Sequence, residues 1–131
     1  MTHVKELVRY WVKTAAHDFG TMQSLFRSKR YSDCLFFGHI TLEKILKALV
    51  VREIKEQVQF THDLLVLYKK IKNVELTEAE IDLLDEVNSF NIRARYPDYK
   101  LRFYKQCTAA YTLPYYKKIG RLYKKLCQKI K

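Results

Sequence analysis

The sequence predicts an all-α fold, an antiparallel up-and-down bundle of four helices with an additional C-terminal helix. Three observations predict it. Only three Gly and two Pro among 131 residues leave little turn chemistry for an all-β chain. Apolar residues recur at helical spacing: Val4, Val8, Trp11, Ala15, Met22 and Leu25, with Asp18 among them, follow intervals of three and four. A Thr-x-x-Glu capping box, Thr77 with Glu80, marks a helix start inside the chain. The length suits one core, so residues 1–131 are expected to form a single domain.

The first helix is expected to run to about Phe26, its seam interrupted only by Asp18. The second, from Tyr31 to Ile54, is apolar almost all round, as expected of a central helix with neighbours on several sides. Gly38 within it costs helix propensity, so its expected use is the close approach of another helix. Thr61 can cap a third helix from His62 to about Ile71, and the capping box opens a fourth that runs to about Ser89. Pro97 disfavours helix at Tyr96, so residues 91–99 read as a loop. Helix resumes between Phe103 and Tyr115, with Pro114 in a first turn or at a kink, and Ile119, Leu122, Leu126 and Ile130 supply its buried stripe.

No stretch reaches the roughly 18 uncharged apolar residues of a membrane span. Lys5, Glu6 and Arg9 do not fit a secretory signal, so a soluble cytoplasmic protein is expected, with no membrane contact. Cys34, Cys107 and Cys127 are odd in number and far apart, which reads as core thiols rather than a disulfide framework or a metal clip.

The formal net charge is +11, and it is unevenly spread. Residues 73–92 carry six acids and no Lys or Arg, whereas residues 99–131 carry ten bases, no acid and six of the ten tyrosines. Bases interleaved with aromatic rings suit a polyanion whose phosphates need neutralising and whose bases stack. The alternative is a solvated helix whose bases answer the acidic segment within the fold or across a dimer.

His39, Glu43 and Lys47 recur every four residues, a polar stripe about 80° wide on an apolar helix. Asp18 sits at a seam position where an unpaired carboxylate is expensive. These four residues are read as a buried polar network, with a surface Glu43–Lys47 pair as the simpler alternative. No second pair of ligands supports a metal site, no Gly-rich phosphate loop or nucleophile elbow appears, and no cofactor is expected. The segment Asn91-Ile92-Arg93-Ala94-Arg95-Tyr96-Pro97-Asp98-Tyr99-Lys100 gathers an amide, two guanidiniums and two phenols. Asn91, Arg93, Arg95, Tyr96, Tyr99, Lys100 and Arg102 are therefore the candidate nucleotide- or RNA-binding residues, since guanidinium forks suit phosphate oxygens. Arg93 or Arg95 tied back to the acidic helix or to Asp18 is the structural alternative.

Asp18, the run His39-Ile40-Thr41-Leu42-Glu43-Lys44-Ile45-Leu46-Lys47-Ala48, Thr61-His62-Asp63-Leu64 and Ala94-Arg95-Tyr96-Pro97 occur in the order found in the HEPN domain family, which the chain resembles over most of its length. The resemblance implies an antiparallel four-helix bundle with an extra C-terminal helix, commonly homodimeric. It further implies nucleotide or RNA association, with many members acting as RNases or as toxins partnered by a minimal nucleotidyltransferase.

One departure weighs against the enzyme. Nuclease members carry an Arg followed, after four to six variable residues, by a His that moves protons while the guanidinium steadies phosphorane charge. His62 is the last histidine here, so nothing after Arg93 or Arg95 completes that motif. Tyr96 or Tyr99 offers a phenol, whose ordinary pKa of about 10 makes a poor base at neutral pH. The expected function is a nucleotide- or RNA-associated binding module, non-catalytic or weakly catalytic, paired with a nucleotidyltransferase in a toxin–antitoxin-like system. The alternatives are a metal-independent endoribonuclease using Arg93, Arg95 or Tyr96 at a dimer cleft, and a pure protein-interaction module.

Overall fold

A computed structural model describes residues 2–131, which form six helices and, among the described residues, no strand. Helix α1 spans Thr2–Arg27 and α2 spans Tyr31–Ile54. A Schellman turn joins them: Arg30 N–H donates to Leu25 O at 2.8 Å and Lys29 N–H to Phe26 O at 3.1 Å, with Lys29 at φ 63° where glycine is usual. The short turn lays the two helices antiparallel, and Ala15 and Met22 on α1 and Leu35, Leu42, Ile45, Leu46 and Leu49 on α2 are buried in the common core.

Helix α2 is the central element and packs against all five others. Gly38 makes one of those contacts possible. An added Cβ would lie 2.8 Å from Ile119 Cδ1 and 3.3 Å from Met22 Sδ, so the missing side chain is the space that Ile119 occupies.

Helix α3 (Leu64–Lys69) is shorter than the sequence predicts and starts later. Asp63, not Thr61, is the N-cap, its carboxylate accepting from Leu65 N–H at 3.0 Å and Val66 N–H at 3.3 Å. Thr61 Oγ1 accepts instead from Asp63 N–H at 3.1 Å and so shapes the approach to the cap. Helix α4 (Glu78–Arg95) opens on the predicted capping box, with Thr77 Oγ1 accepting from Glu80 N–H and Glu80 Oε1 from Thr77 N–H.

The loop expected over residues 91–99 is not one. Helix α4 continues to Arg95, only Tyr96 is extended (φ −81°, ψ 130°), and α5 (Pro97–Gln106) begins at once. The steric effect of Pro97 reaches one residue back, while its own fixed φ and missing N–H suit the first position of a new helix. The result is a sharp elbow, anchored by Phe103 of α5 against Phe90 of α4 at 5.5 Å between ring centroids.

Helix α6 (Ala109–Ile130) is capped by Thr108, and Pro114 falls at its sixth residue rather than in its first turn. Ile119, Leu122 and Leu126 are buried and Ile130 half-buried. Stacked pairs Phe26–Tyr116 (4.0 Å) and Phe19–Tyr123 (4.5 Å) seat α6 on α1. Cys34 and Cys107 are buried free thiols, pushed up to about 12 by burial, so they pack as small apolar groups rather than as nucleophiles. No helix of the described chain is long and apolar enough to cross a membrane.

Candidate functional site

The polar stripe of α2 faces inward. His39, Glu43 and Lys47 are each at least nine-tenths buried, a cost that such groups carry only when partnered. Glu43 takes two partners: Lys47 Nζ donates to Oε2 at 2.7 Å, and His62 Nδ1 donates to Oε1 at 2.8 Å. The Lys47 ammonium also lies 5.1 Å from the Trp11 ring centroid and 5.7 Å from that of Phe60, so its charge meets a carboxylate and two aromatic faces.

His39 extends the network the other way. Its Nε2–H donates to the His62 carbonyl at 2.9 Å, which leaves Nδ1 to accept from the Asn91 amide at 3.4 Å. The Asn91 oxygen then accepts from Arg95 at 3.0 Å. Burial lowers the His39 pKa below the ordinary histidine value, against the raising effect of Glu43 and of the His62 carbonyl, so this ring is held neutral. One continuous chain therefore runs Lys47–Glu43–His62–His39–Asn91–Arg95, from the core to the end of α4.

The segment carrying His62 is fixed by α4. Asn88 donates to Asp63 at 2.9 Å and accepts from Leu64 N–H at 2.8 Å. Partial burial pushes the Asp63 carboxyl up, but the hydrogen bonds from Asn88, Val66 and Leu65 outweigh it and hold the group below the usual carboxylate range. His62 is thereby presented with Nδ1 on Glu43 and its side chain 43% exposed.

A cleft of about 300 Å³ opens there, lined by His62, Asp63, Asn88, Asn91, Ile92, Arg95 and Tyr96. It brings together an imidazole oriented by a carboxylate, a guanidinium oriented by an amide, and an exposed phenol ring. The arrangement can receive a phosphate on Arg95 and can exchange a proton at His62 Nε2, the nitrogen that makes no hydrogen bond among the described residues.

The other residues singled out in the sequence are placed elsewhere. Asp18 does not join the Glu43 network: Lys44 Nζ lies 2.6 Å from its Oδ2, because Asp18 faces the neighbour of Glu43, about 100° further round α2. Arg93 turns to the far side of α4, bonded to Gln106 and with its guanidinium 4.5 Å from the Phe103 centroid, where it ties the elbow together. Lys100 lines a larger cleft of about 720 Å³ between the α1–α2 turn and α5, with Lys29, Arg30 and Tyr104. Tyr99 and Arg102 are exposed on α5 and border neither cleft. Sequence reasoning assigns His62 no place beside Arg95. The run Thr61-His62-Asp63-Leu64, which the family resemblance includes, is the signal the sequence offers for it.

A known protein similar in structure is TT1696 from Thermus thermophilus, whose crystal structure superposes with a TM-score of 0.79. The alignment covers 93% of this chain and 97% of that one at 20% identity, a likeness of fold. Comparison with curated proteins returns no match. The family model for the HEPN domain matches residues 8–126, nearly the whole bundle from α1 to α6, and the chain accordingly belongs to the HEPN domain family.

Proposed function

We propose that this HEPN domain, acting as one unit over residues 1–131, binds nucleotides or RNA through the cleft between the His62–Asp63 segment and the C-terminal half of α4. Arg95 takes a phosphate there, and Tyr96 offers a ring face to a base. The observation that carries this reading is the orientation of Arg95 by Asn91, itself set by the buried His39, so that an exposed guanidinium is held by the core. The protein works in the cytoplasm as a homodimer beside a minimal nucleotidyltransferase, in a toxin–antitoxin-like pair. The exposed Ile92, Tyr96, Tyr99, Leu101 and Tyr104 on the elbow and α5 offer apolar surface for such partners.

The test is binding of a labelled trinucleotide at low salt. Arg95→Ala is expected to lower its affinity about tenfold, the worth of one charge-assisted phosphate contact. Unchanged affinity would sink the reading. Arg93→Ala, which loosens the elbow on the opposite side of α4, serves as the contrast.

The His62–Glu43 pair favours a second reading, a metal-independent endoribonuclease. His62 supplies the proton-transferring imidazole that the sequence lacks after its arginines, and Arg95 steadies the developing phosphorane charge. Cleavage of end-labelled RNA that survives EDTA and disappears in both His62→Asn and Arg95→Ala is the expected result. RNA left intact by the native protein would exclude it.

A further inference from the structure

A second positively charged surface lies apart from that cleft. Helix α6 carries six bases and no acid: Lys117, Lys118, Arg121, Lys124, Lys125 and Lys129. Within the fold the acidic helix α4 answers few of them. Lys125 pairs with Glu80 at 2.7 Å, and Lys118 and Arg121 border a small cleft that also holds Glu80 and Glu86. On the other flank of Arg121, which borders both, a groove of about 310 Å³ runs between α1 and α6 and is lined by no acid. Its lining includes Lys117, Arg121 and Lys124 at intervals of four and three residues, with Gln23 and the edges of Phe19 and Tyr116. Among the described residues these three bases take part in no ion pair.

Like charges three and four apart on a helix repel by a few tenths of a kcal/mol per pair. A helix that keeps such a row along a groove lined by no acid, where none of the three bases makes an ion pair among the described residues, is complementary to an external row of negative charge. The three bases span about 10.5 Å along the axis at 1.5 Å per residue, so they form a straight track rather than a point. A polyanion of regular charge spacing fits that track better than a single anion does, and aromatic edges in the wall suit a strand that carries bases.

We infer that the α1–α6 groove is a contact surface for the phosphate backbone of single-stranded RNA, separate from the cleft at Arg95. The inference rests on the RNA reading above. The groove holds the strand without reading sequence, because Lys117, Arg121 and Lys124 offer charge and no fixed hydrogen-bond pattern. Short oligonucleotides therefore sense only the Arg95 cleft, and longer ones sense both.

The experiment compares the native protein with Lys117→Gln/Arg121→Gln/Lys124→Gln, using fluorescence anisotropy of an RNA of roughly 20 nucleotides, beyond the range one small domain occupies, and of a trinucleotide. Gln keeps helix propensity, so the variant is expected to melt where the native protein does or slightly higher. For the long RNA, removing three phosphate contacts flattens the slope of log affinity against log salt by about 2. Raising salt from 50 to 200 mM then weakens the native protein about 18-fold more than the variant. Trinucleotide affinity stays unchanged.

An unaltered slope overturns the inference, and so does a native protein that binds the long RNA without salt dependence. Poly-glutamate bound as tightly as RNA of equal charge assigns the groove to an acidic protein and overturns it too. If the triple variant unfolds early, Lys124→Gln alone carries the test with a slope change of about 0.7. Failure of the Arg95 cleft reads out separately, as trinucleotide affinity indifferent to Arg95→Ala.

Discussion

Removing Glu43 while leaving Lys47 in place tests how the core carries its charges. The two side chains are 7% and 6% exposed and meet at 2.7 Å, so the loss of one strands the other in a low-dielectric site. Breaking such a buried pair costs about 3–5 kcal/mol, whereas replacing both charges with apolar groups of similar volume is nearly neutral. Glu43→Leu is therefore expected to destabilise by about 4 kcal/mol, for it orphans the Lys47 ammonium and also strips the partner from His62 Nδ1. Lys47→Met is expected to cost less, about 2 kcal/mol, since Glu43 keeps the hydrogen bond from His62 and the Met chain keeps the contacts with Trp11 and Phe60. The double variant should lose no more than about 1 kcal/mol, giving a coupling of roughly 5 kcal/mol. For 131 residues the unfolding entropy is about 275 cal/mol/K, so Glu43→Leu should melt about 15 °C below the native protein, with the double variant recovering most of that. Urea and thermal unfolding of all four proteins measure the cycle. Single effects that simply add, within about 0.5 kcal/mol, would refute the claim that these charges depend on one another.

Gly38→Ala should cost about 1–3 kcal/mol by thermal unfolding, because the new Cβ meets Ile119 Cδ1 at 2.8 Å and the packed core has little room to shift. Lys29→Gly should stabilise by about 1 kcal/mol, since Lys29 holds a left-handed φ of 63° that glycine adopts without a Cβ penalty; a lower urea midpoint would contradict this. Acidification should destabilise in two stages. His39 titrates lower in the folded chain than its ordinary 6.5, so the unfolded chain binds the extra proton and stability falls as pH drops below about 6.5. Asp63 and Glu80, both depressed, contribute stability above their ordinary values of 3.8 and 4.5 and lose it as pH falls further. Urea midpoints that are flat between pH 7 and pH 5 would exclude the His39 contribution.

What can be read from the sequence divides along physical lines. The bounds of α2, the capping box at Thr77 and the stripe of α6 rest on periodicity and local hydrogen bonding, which act within a few residues and are written in the chain. The elbow at Tyr96 reads as a loop because a proline that ends one helix is equally suited to begin the next, and only the burial of Phe103 against Phe90 decides between them. Spacing alone joins Asp18 to the wrong stripe because one helical position separates Glu43 from Lys44, a rotation that helix packing settles. The placement of His62 is the least legible. It depends on residues 55–63, which have no periodic pattern, and on Asn88 clamping Asp63 across 25 positions of chain.

The orientation of Arg95 follows from a carbonyl three groups away. The His62 oxygen can only accept, so His39 Nε2 must donate and His39 Nδ1 must accept; the Asn91 amide nitrogen therefore turns inward, and its oxygen outward to Arg95. A protonated His39 would present N–H on both sides, with Nδ1–H set between the Asn91 amide donor at 3.4 Å and the Glu43 carboxylate at 3.8 Å. Turning the amide would relieve the clash of the two donors and set its NH2 against the guanidinium, leaving Arg95 without its acceptor. With Nδ1 of His39 accepting, the Asn91 oxygen is left to hold Arg95 at the wall of the cleft. The same backbone segment supplies both that oxygen and the His62 ring on Glu43. Imidazole and guanidinium are consequently held in register by one loop docked on the core, although α3 itself is less than two turns long.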